Sequence, residues 1–354
     1  MKDLKVIITA AGSPSSPGLI TCLHNNGERK ITVIGTDMKA DATIKQMADI
    51  VYLVPSASDE KYVDALLDIC KKEKVDVLIP GISQELPKLQ KRIGEFESIG
   101  TKVSVSSGEG LFIANDKIKL YEFMKKHGYK IPNFVVIHSL EDFHSACLKL
   151  GYPDKAICVK MKDGSGSRGI RLIDPKKSRY DIFANEKPNS FFTTYEDMVS
   201  ILKEAPKFPE LLIMDYLPGE EYSVDLLAQN GETLYICGRE SNVINASIPQ
   251  EATLAYNKEA YDMACSIVKD LKLDGNVDLD FKFDENGYPQ LMEINPRLAA
   301  TLSVIAAGGL NLLYLRIKQL LGEPLPAVQI NYGVKLKRRY HELFCNKDGL
   351  PIKL

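Results

Sequence analysis

The first third of the chain alternates runs of β-branched residues with segments that have the apolar spacing of helices. The runs that predict strands lie at residues 5–9, 31–37, 51–55, 75–80 and 102–105. Residues 19–25 and 62–72 lie between such runs and show helical periodicity. Strands that alternate with helices form βαβ units, so we predict an α/β domain built on a parallel sheet.

The remaining two thirds of the chain mixes helices with strands that are joined by tight turns. The predicted helices lie at residues 115–127, with Asn115 as the N-cap, and at 140–150, 196–203, 258–271 and 303–321. The predicted strands lie at residues 133–137, 156–160, 170–173, 211–216, 222–227, 234–237, 278–283 and 290–294. Turns at Asn230-Gly231 and Asn286-Gly287 are typical of β-hairpins, so we expect antiparallel sheets here.

Composition and charge narrow the class of protein. The chain has 354 residues, which suits two or three domains, and its 45% hydrophobic content excludes disorder as the main state. With 45 basic and 47 acidic side chains the net charge is −2, and no long apolar run occurs. We therefore expect neither a nucleic-acid nor a membrane partner. Seven cysteines without C-x-x-C spacing, and a short N-terminal apolar run, predict a cytoplasmic protein with reduced thiols.

A glycine-rich loop separates two predicted strands. Its residues are Gly164, Ser165, Gly166, Ser167, Arg168 and Gly169. A dinucleotide loop would be followed by a helix, whereas a loop between strands is typical of a flap over ATP phosphates. Lys160 precedes the loop and Lys117 follows a helix cap, so either ammonium group could hold a phosphate. The alternatives are a flexible surface turn and two solvated lysines.

The strand exit at residues 214–217 predicts a nucleotide hinge. Backbone atoms at Asp215, Tyr216 and Leu217 could meet a purine, and Glu221 could bind ribose hydroxyls. The alternative is a solvated acidic turn.

The second predicted hairpin carries the strongest chemical signal. Asp280 on one strand, with Glu293 and Asn295 on the other, would place three oxygen ligands on one patch. Such ligands, completed by substrate phosphates, suit Mg²⁺, and Arg297 could neutralise a transferring phosphoryl group. The alternative is an exposed polar face of a sheet.

Asp278 lies two residues before Asp280 and therefore on the same strand face, about 7 Å away. We expect it to face the acceptor pocket and to pair with a cation, either the substrate amine or a side chain such as Arg239. A solvated strand residue is the alternative.

Taken in order, these pieces resemble the ATP-grasp superfamily. The matching segments are Asp116-Lys117, GYPDKAICVK at residues 151–160, the glycine loop, MDYLPGEEYSVD at 214–225, DLDF at 278–281 and MEINPR at 292–297. The resemblance covers about residues 112–310, and residues 1–110 resemble the preATP-grasp domain more weakly. The most similar subgroup is the single-unit proteins related to carbamoyl phosphate synthase.

The resemblance implies a fold and its domains. We expect an α/β chain in which a preATP-grasp parallel-sheet domain, residues 1–112, precedes a two-lobed α+β ATP-grasp domain, residues 113–325. Residues 113–208 would form the smaller lobe with the flap and 209–325 the larger lobe with the metal site. ATP would lie between antiparallel sheets, and residues 326–354 would form a C-terminal strand and tail.

The resemblance also assigns roles to residues. Lys117 and Lys160 match phosphate-contacting positions, and the loop matches the flap. Asp215 and Leu217 match the adenine hinge, and Glu221 matches the ribose-binding glutamate. Asp280, Glu293 and Asn295 match the metal ligands. Arg297 matches the arginine that stabilises the acyl phosphate, and Arg239 matches a further substrate- or phosphate-contacting arginine. Ala299 and Ala300 stand where many relatives carry glycines, which predicts a narrower acceptor pocket.

The function that follows is an ATP-dependent ligase. It would activate a small-molecule carboxylate as an acyl phosphate and join it to an amine, releasing ADP and phosphate. The expected cofactors are ATP and Mg²⁺, with Mn²⁺ as a substitute, and a homodimer stays open. Two alternatives remain: a non-catalytic ATP-binding subunit or sensor, and an NAD(P)-dependent oxidoreductase.

Overall fold

The structure is a computed structural model that describes residues 1–39, 44–162, 168–245, 248–339, 342–347 and 351–352. The chain forms two compact units. Unit 1 comprises Met1–Asn115, Glu220–Phe281 and Met292–Leu354, and unit 2 comprises Asp116–Gly219 and Lys282–Leu291. The division into domains at residues 112, 208 and 325 stays a prediction.

The N-terminal part of unit 1 is the predicted parallel sheet. Its elements are β1 (Leu4–Thr9), α1 (Ser16–His24), β2 (Ile31–Asp37), α2 (Ile44–Met47), β3 (Ile50–Leu53), α3 (Tyr62–Glu73), β4 (Val77–Ile79), α4 (Leu86–Lys91), α5 (Ile93–Ser98), β5 (Lys102–Val103) and α6 (Gly110–Ala114). The described strands lie in the order β3-β2-β1-β4-β5, all parallel. Val6 and Ile8 pack in one hydrophobic core and Ile7 in another, so both faces of the sheet are covered.

Unit 2 is built on a mixed sheet. Its elements are α7 (Lys117–Lys126), β6 (Phe134–Ile137), α8 (Leu140–Lys149), β7 (Ile157–Met161), β8 (Ile170–Ile173), α9 (Arg179–Asn185), β9 (Phe192–Thr193), α10 (Tyr195–Lys203) and β10 (Leu211–Asp215). The described strands lie in the order β6-β10-β7-β8-β9, antiparallel apart from the parallel β8–β9 pair. Phe143 and Ile213 lie in the core beside this sheet.

The rest of the chain supplies a second, larger sheet. Its elements are β11 (Glu221–Gln229), β12 (Glu232–Asn245), β13 (Ile248–Leu254), α11 (Lys258–Asp270), β14 (Gly275–Phe283), β15 (Pro289–Asn295), α12 (Leu302–Ala307), α13 (Leu312–Leu320), β16 (Lys335–Lys337), β17 (Phe344–Cys345) and β18 (Pro351–Ile352). Six described strands lie in the order β15-β14-β11-β12-β13-β16. The predicted fold class, a parallel-sheet domain followed by an α+β region, is confirmed.

Three sequence-based expectations about elements were wrong. Asp116, rather than Asn115, caps α7, because Asn115 already ends α6 while the Asp116 carboxylate accepts from the amides of Ile118 and Lys119. The single helix expected at 303–321 is two helices. Gly309 has φ +103°, which breaks the first helix, and Asn311 caps the second.

The third wrong expectation concerns strands β12 and β13. We expected a short return strand at 234–237, whereas β12 continues to Asn245 and pairs with β13, which the sequence pattern did not predict. Pro249 and the register shifts along this pair interrupt the alternation that marks a strand. Within the described part of the chain, every helix is too short or too polar to cross a lipid bilayer.

Candidate functional site

Two neighbouring strands of the larger sheet bring polar side chains together. Asp278 and Asp280 lie on one face of β14, and Glu293 and Asn295 lie on one face of β15, because side chains alternate along a strand. The Asn295 amide donates from Nδ2 to Asp280 Oδ2 at 3.1 Å and to Asp278 Oδ2 at 3.4 Å. The structure therefore groups Asp280 and Asn295, with Asp278 beside them.

A buried arginine from β12 binds this group. Arg239 is 3% exposed, and its Nη2 donates to Asp278 Oδ1 at 3.0 Å. Its Nε donates to Asp225 Oδ2 at 2.8 Å, and its Nη1 donates to Ser241 Oγ at 3.3 Å. Asp278 was expected to pair with either the substrate amine or a side chain such as Arg239, and in this structure it pairs with Arg239. In this structure the guanidinium of Arg239 is engaged by protein side chains.

Asp225, Asp278, Asp280 and Glu293 form what we call the acidic cluster. Burial is the main reason that the pKa of Asp278 rises to about 7, and the neighbouring Asp225 raises it further. Burial also raises the pKa of Asp280 well above its usual value, and the charges of Asp278 and Glu293 add to this. Each carboxyl group thus disfavours ionisation of its neighbours, while the guanidinium groups of Arg239 and Arg297 favour it.

Asn295 also connects the cluster to Arg297. Arg297 Nη2 donates to Asn295 Oδ1 at 3.0 Å, and Nη1 donates to Leu298 O at 2.6 Å. The Asn295 amide therefore turns its nitrogen toward the carboxylates and its oxygen toward the arginine. The buried Nε of Arg297 has no hydrogen-bond partner among the described residues.

The residues predicted to bind ATP phosphates lie mostly in unit 2. Lys117 is the first residue of α7, directly after the Asp116 cap, and Lys160 is a buried residue of β7 at 3% exposure. Arg168 is exposed, and Gly169 has φ +72°, where a Cβ atom would lie 2.7 Å from Met161. Only glycine suits that turn. Gly164, Ser165, Gly166 and Ser167 lie outside the described residues.

The predicted hinge follows β10 in unit 2. The Asp215 carboxylate accepts from the Asn133 backbone at 3.1 Å and from the Asn133 amide at 2.8 Å. Tyr216 follows it, and Leu217 is buried at 5% exposure. Glu221 is the exposed first residue of β11 and belongs to unit 1.

Sequence reasoning missed two residues that complete the cluster. Asp225 is 2% exposed and bonds Arg239, and Ser223 Oγ donates to Asp280 Oδ1 at 2.6 Å. They are two residues apart on β11, whose other members are mostly apolar. Asp278 and Asp280 have the same spacing on β14. This spacing in an otherwise apolar strand could have predicted that Ser223 and Asp225 share the face of the site.

The chemistry of this cluster suits a divalent cation that takes few ligands from the protein. Among the described residues, no three or more His, Cys, Asp or Glu side chains form a ready metal cage. However, Asp280 and Glu293 supply hard oxygen donors in a region of excess negative charge. Mg²⁺ typically takes one or two carboxylates and completes its shell with water and phosphate oxygens. The residues present therefore fit Mg²⁺.

Two family models match the chain. Residues 207–341 match "ATP-grasp in the biosynthetic pathway with Ter operon", and residues 6–104 match "PylC-like, N-terminal domain". Among curated proteins, the carbamoyl phosphate synthase large chain of Clostridium acetobutylicum is 24% identical over 322 residues, covering 87% of this chain and 27% of that protein. The carbamoyl-phosphate synthase of Methanobrevibacter smithii is 24% identical over 288 residues, which cover 76% of this chain and 69% of that protein. The chain thus spans about a quarter of the length of the first relative.

Solved structures share the fold. N5-carboxyaminoimidazole synthetase from Staphylococcus aureus, complexed with ADP, matches with a TM-score of 0.66 and 16% identity, covering 93% of this chain and 80% of that one. Biotin carboxylase from Campylobacter jejuni matches with a TM-score of 0.66 and 16% identity, and the match covers 92% of this chain and 74% of that one. Together with the family models, these matches confirm the predicted resemblance to ATP-grasp proteins.

Proposed function

We propose that this chain, which matches an ATP-grasp family model over residues 207–341 and is similar to carbamoyl phosphate synthases, is an ATP-dependent ligase that joins a carboxylate to an amine. The observation that carries this proposal is the set of carboxyl groups in the acidic cluster: Asp225 and Asp278 pair with Arg239, and Asp280 lies beside them. Such a cluster costs free energy unless a cation neutralises it. The matches favour neither a non-catalytic sensor nor an NAD(P)-dependent oxidoreductase.

Each predicted site residue would hold one part of the bound ATP and metal. Asp280 and Glu293 would bind Mg²⁺, or Mn²⁺ in its place, which would neutralise charge on the phosphates of ATP. Asn295 would join them with its amide rotated, because its Oδ1 faces Arg297 in this structure. Lys117, Lys160 and the flap at residues 164–169 would hold those phosphates. Backbone atoms at residues 215–217 would meet adenine, and Glu221 would meet ribose.

The reaction needs positioning and charge neutralisation rather than a protein nucleophile. A carboxylate oxygen attacks the γ-phosphorus of ATP, the bond to the bridging oxygen breaks, and ADP leaves with the electron pair. The amine nitrogen then attacks the acyl carbon, and phosphate leaves with the proton that the amine loses. Arg297 would stabilise the negative charge of the acyl phosphate, because it lies beside the cluster and keeps an unpartnered Nε.

A screen of acid–amine pairs tests the proposal. The protein is incubated with ATP, Mg²⁺ and each pair of small molecules, and all nucleotides and phosphates are quantified. We expect ADP and phosphate in equal amounts, formed only when the carboxylate is present. Omission of the carboxylate is the matched control. Release of AMP and pyrophosphate would contradict the proposal.

A further inference from the structure

The two oxygens of the Asp280 carboxylate accept hydrogen bonds from two different strands. Ser223 Oγ, on β11, donates to Asp280 Oδ1 at 2.6 Å. Asn295 Nδ2, on β15, donates to Asp280 Oδ2 at 3.1 Å. The strand that carries Asp280, β14, lies between these two strands in the sheet. The carboxylate is therefore oriented by one donor on each side.

The two donors differ in what a bound cation would do to them. Asn295 Oδ1, the amide atom that could ligate a metal, accepts from Arg297 Nη2 at 3.0 Å, so the amide has to rotate before it can bind a cation. This rotation exchanges the oxygen and the nitrogen of the amide and takes Nδ2 away from Asp280 Oδ2. The contact from Ser223 does not depend on the rotation. Ser223 then still orients Asp280, while Asp280 Oδ2 becomes free for the cation.

The sheet holds the Ser223 hydroxyl in a fixed place. Ser223 is 4% exposed and lies within β11, which has β14 on one side and β12 on the other. Its register partner on β12 is Arg239. The backbone of Ser223 is thus paired within the sheet, and one side-chain torsion places its Oγ. A short side chain of this kind loses less conformational entropy when it is ordered than a long donor such as lysine would lose.

We propose that Ser223 is a positioning residue of the metal site, whose hydroxyl holds Asp280 Oδ1 and leaves Asp280 Oδ2 for the cation. This inference rests on the proposed function, because the cation is the one that would accompany ATP. Residues that hydrogen-bond to a metal ligand fix its orientation, and their loss lowers the affinity for the metal. Ser223 contacts neither the nucleotide nor the substrate in this role and acts through Asp280.

Binding of Mn²⁺ tests the inference without turnover. Mn²⁺ is titrated into the full chain with saturating ADP, and the free ion is measured by electron paramagnetic resonance. Calorimetry measures ADP binding without metal, and thermal unfolding shows whether each variant is folded. The variants are Ser223→Ala and a pair of equal shape, Ser223→Thr, which keeps a hydroxyl, and Ser223→Val, which lacks one.

The matched control is a second buried hydroxyl in unit 1. Thr101 is fully buried, and its Oγ1 donates to the carbonyl of Val75 at 2.8 Å. Thr101→Val removes this donor and keeps the shape of the side chain. It therefore shows what the loss of a buried hydroxyl does away from the acidic cluster.

We expect Ser223→Ala and Ser223→Val to weaken Mn²⁺ binding by about 10- to 100-fold, the range typical of a residue that orients a metal ligand. Ser223→Thr should bind Mn²⁺ within about threefold of the unchanged protein, because it keeps the donor. Metal-free ADP binding should change less than about twofold in every variant, since Ser223 acts on the cation alone. Thr101→Val should lower the melting temperature and leave the Mn²⁺ affinity unchanged.

A purely structural hydroxyl would give a different result. Ser223→Ala would then lower the melting temperature, as Thr101→Val does, with an unchanged Mn²⁺ affinity, and the inference would be overturned. An unchanged protein that binds no Mn²⁺, or an equal weakening of metal-free ADP binding in Ser223→Ala, would also overturn it. If Ser223→Ala does not fold, equal Mn²⁺ affinities of Ser223→Val and Ser223→Thr would have the same meaning.

Failure of the ligase proposal has its own signature. The Mn²⁺ affinity would then depend on the Ser223 hydroxyl, yet no acid–amine pair would lead to release of ADP. Conversely, a protein that joins an acid to an amine but binds Mn²⁺ equally well without this hydroxyl would keep the proposed function and lose the role of Ser223.

Discussion

Two buried acidic sites of unit 1 are built in opposite ways. In the N-terminal part, one carboxyl group, that of Glu85, is fully buried and has four hydrogen-bond donors. They are Thr9 Oγ1 at 2.6 Å, the amides of Gly81 at 2.9 Å and Ile82 at 3.0 Å, and the Tyr62 hydroxyl. In the acidic cluster, three carboxyl groups, those of Asp225, Asp278 and Asp280, share Arg239, the Asn295 amide and the Ser223 hydroxyl.

The difference separates a structural site from a functional one. Burial raises the pKa of Glu85 and of Asp278 alike, so burial alone does not distinguish the two. The number of donors for each carboxylate does distinguish them. Glu85 has four donors to itself, whereas Asp225, Asp278 and Asp280 share three donor side chains and repel one another.

Removing Glu85 should produce the largest effect on folding. Glu85→Ala leaves three donors without this acceptor, the Thr9 and Tyr62 hydroxyls and the Ile82 amide, while the Gly81 amide keeps Thr9 Oγ1 at 2.8 Å. The free energy of unfolding should fall by about 3–5 kcal/mol. Urea unfolding measures the change. Glu60→Ala, at an exposed position nearby, is the control and should change stability by less than about 0.5 kcal/mol. An unchanged midpoint in Glu85→Ala would refute the structural role.

Removing a carboxyl charge from the acidic cluster should lower activity rather than stability. Glu293→Gln keeps the size of the side chain but removes a charge from the proposed metal site. We expect kcat to fall about 10²–10³-fold, while thermal unfolding shows that the variant is still folded. Glu285→Gln, at the exposed tip of the same hairpin, is the control. Normal activity with Mg²⁺ in Glu293→Gln would remove Glu293 from the metal site.

Asp278 offers a finer test of the cluster. Asp278→Asn keeps a hydrogen-bonding group opposite Arg239 but removes the charge. If Asp278 faces the acceptor, the KM for the amine should rise about tenfold, while the KM for ATP changes less than about twofold. Steady-state kinetics with each substrate varied in turn decides this. Equal changes in both constants, or none, would show that Asp278 has no acceptor role.

The acidic cluster was more predictable from sequence than the Glu85 site. Strand alternation places Asp278 beside Asp280, and the pairing with Arg239 followed from charge. The donors to Glu85 come from β1, α3 and the turn after β4, and only tertiary folding brings them together. The contact between Arg338 and Ala300, 38 residues apart, was missed for the same reason. Local patterns predict which residues share a strand face, whereas contacts between distant segments need the fold.

A third carboxylate shows why donors and burial must be weighed together. Asp284, in the turn between β14 and β15, accepts from the amides of Asn286 and Tyr288 at 2.9 Å and from Gln290 Nε2 at 2.8 Å. The Tyr288 amide is the largest cause that lowers the pKa of Asp284 to about 2. Glu85 has four donors, yet its pKa rises, so the deeper burial of Glu85 sets the direction.

The lowered pKa of Asp284 makes a prediction about acid stability, with the smallest effect of the four. Its pKa in the folded state, about 2, lies below the ordinary value of 3.8, so its ionised form stabilises the fold above about pH 4. That contribution is lost as the pH falls toward 2. Asp284→Asn cannot titrate and should flatten the decline in melting temperature between pH 4 and pH 2. Melting curves across this range measure it, and the exposed Asp154→Asn should leave the decline unchanged. An identical decline in Asp284→Asn would mean that its hydrogen bonds do not favour the ionised form, and the donor count would then no longer separate the two buried sites.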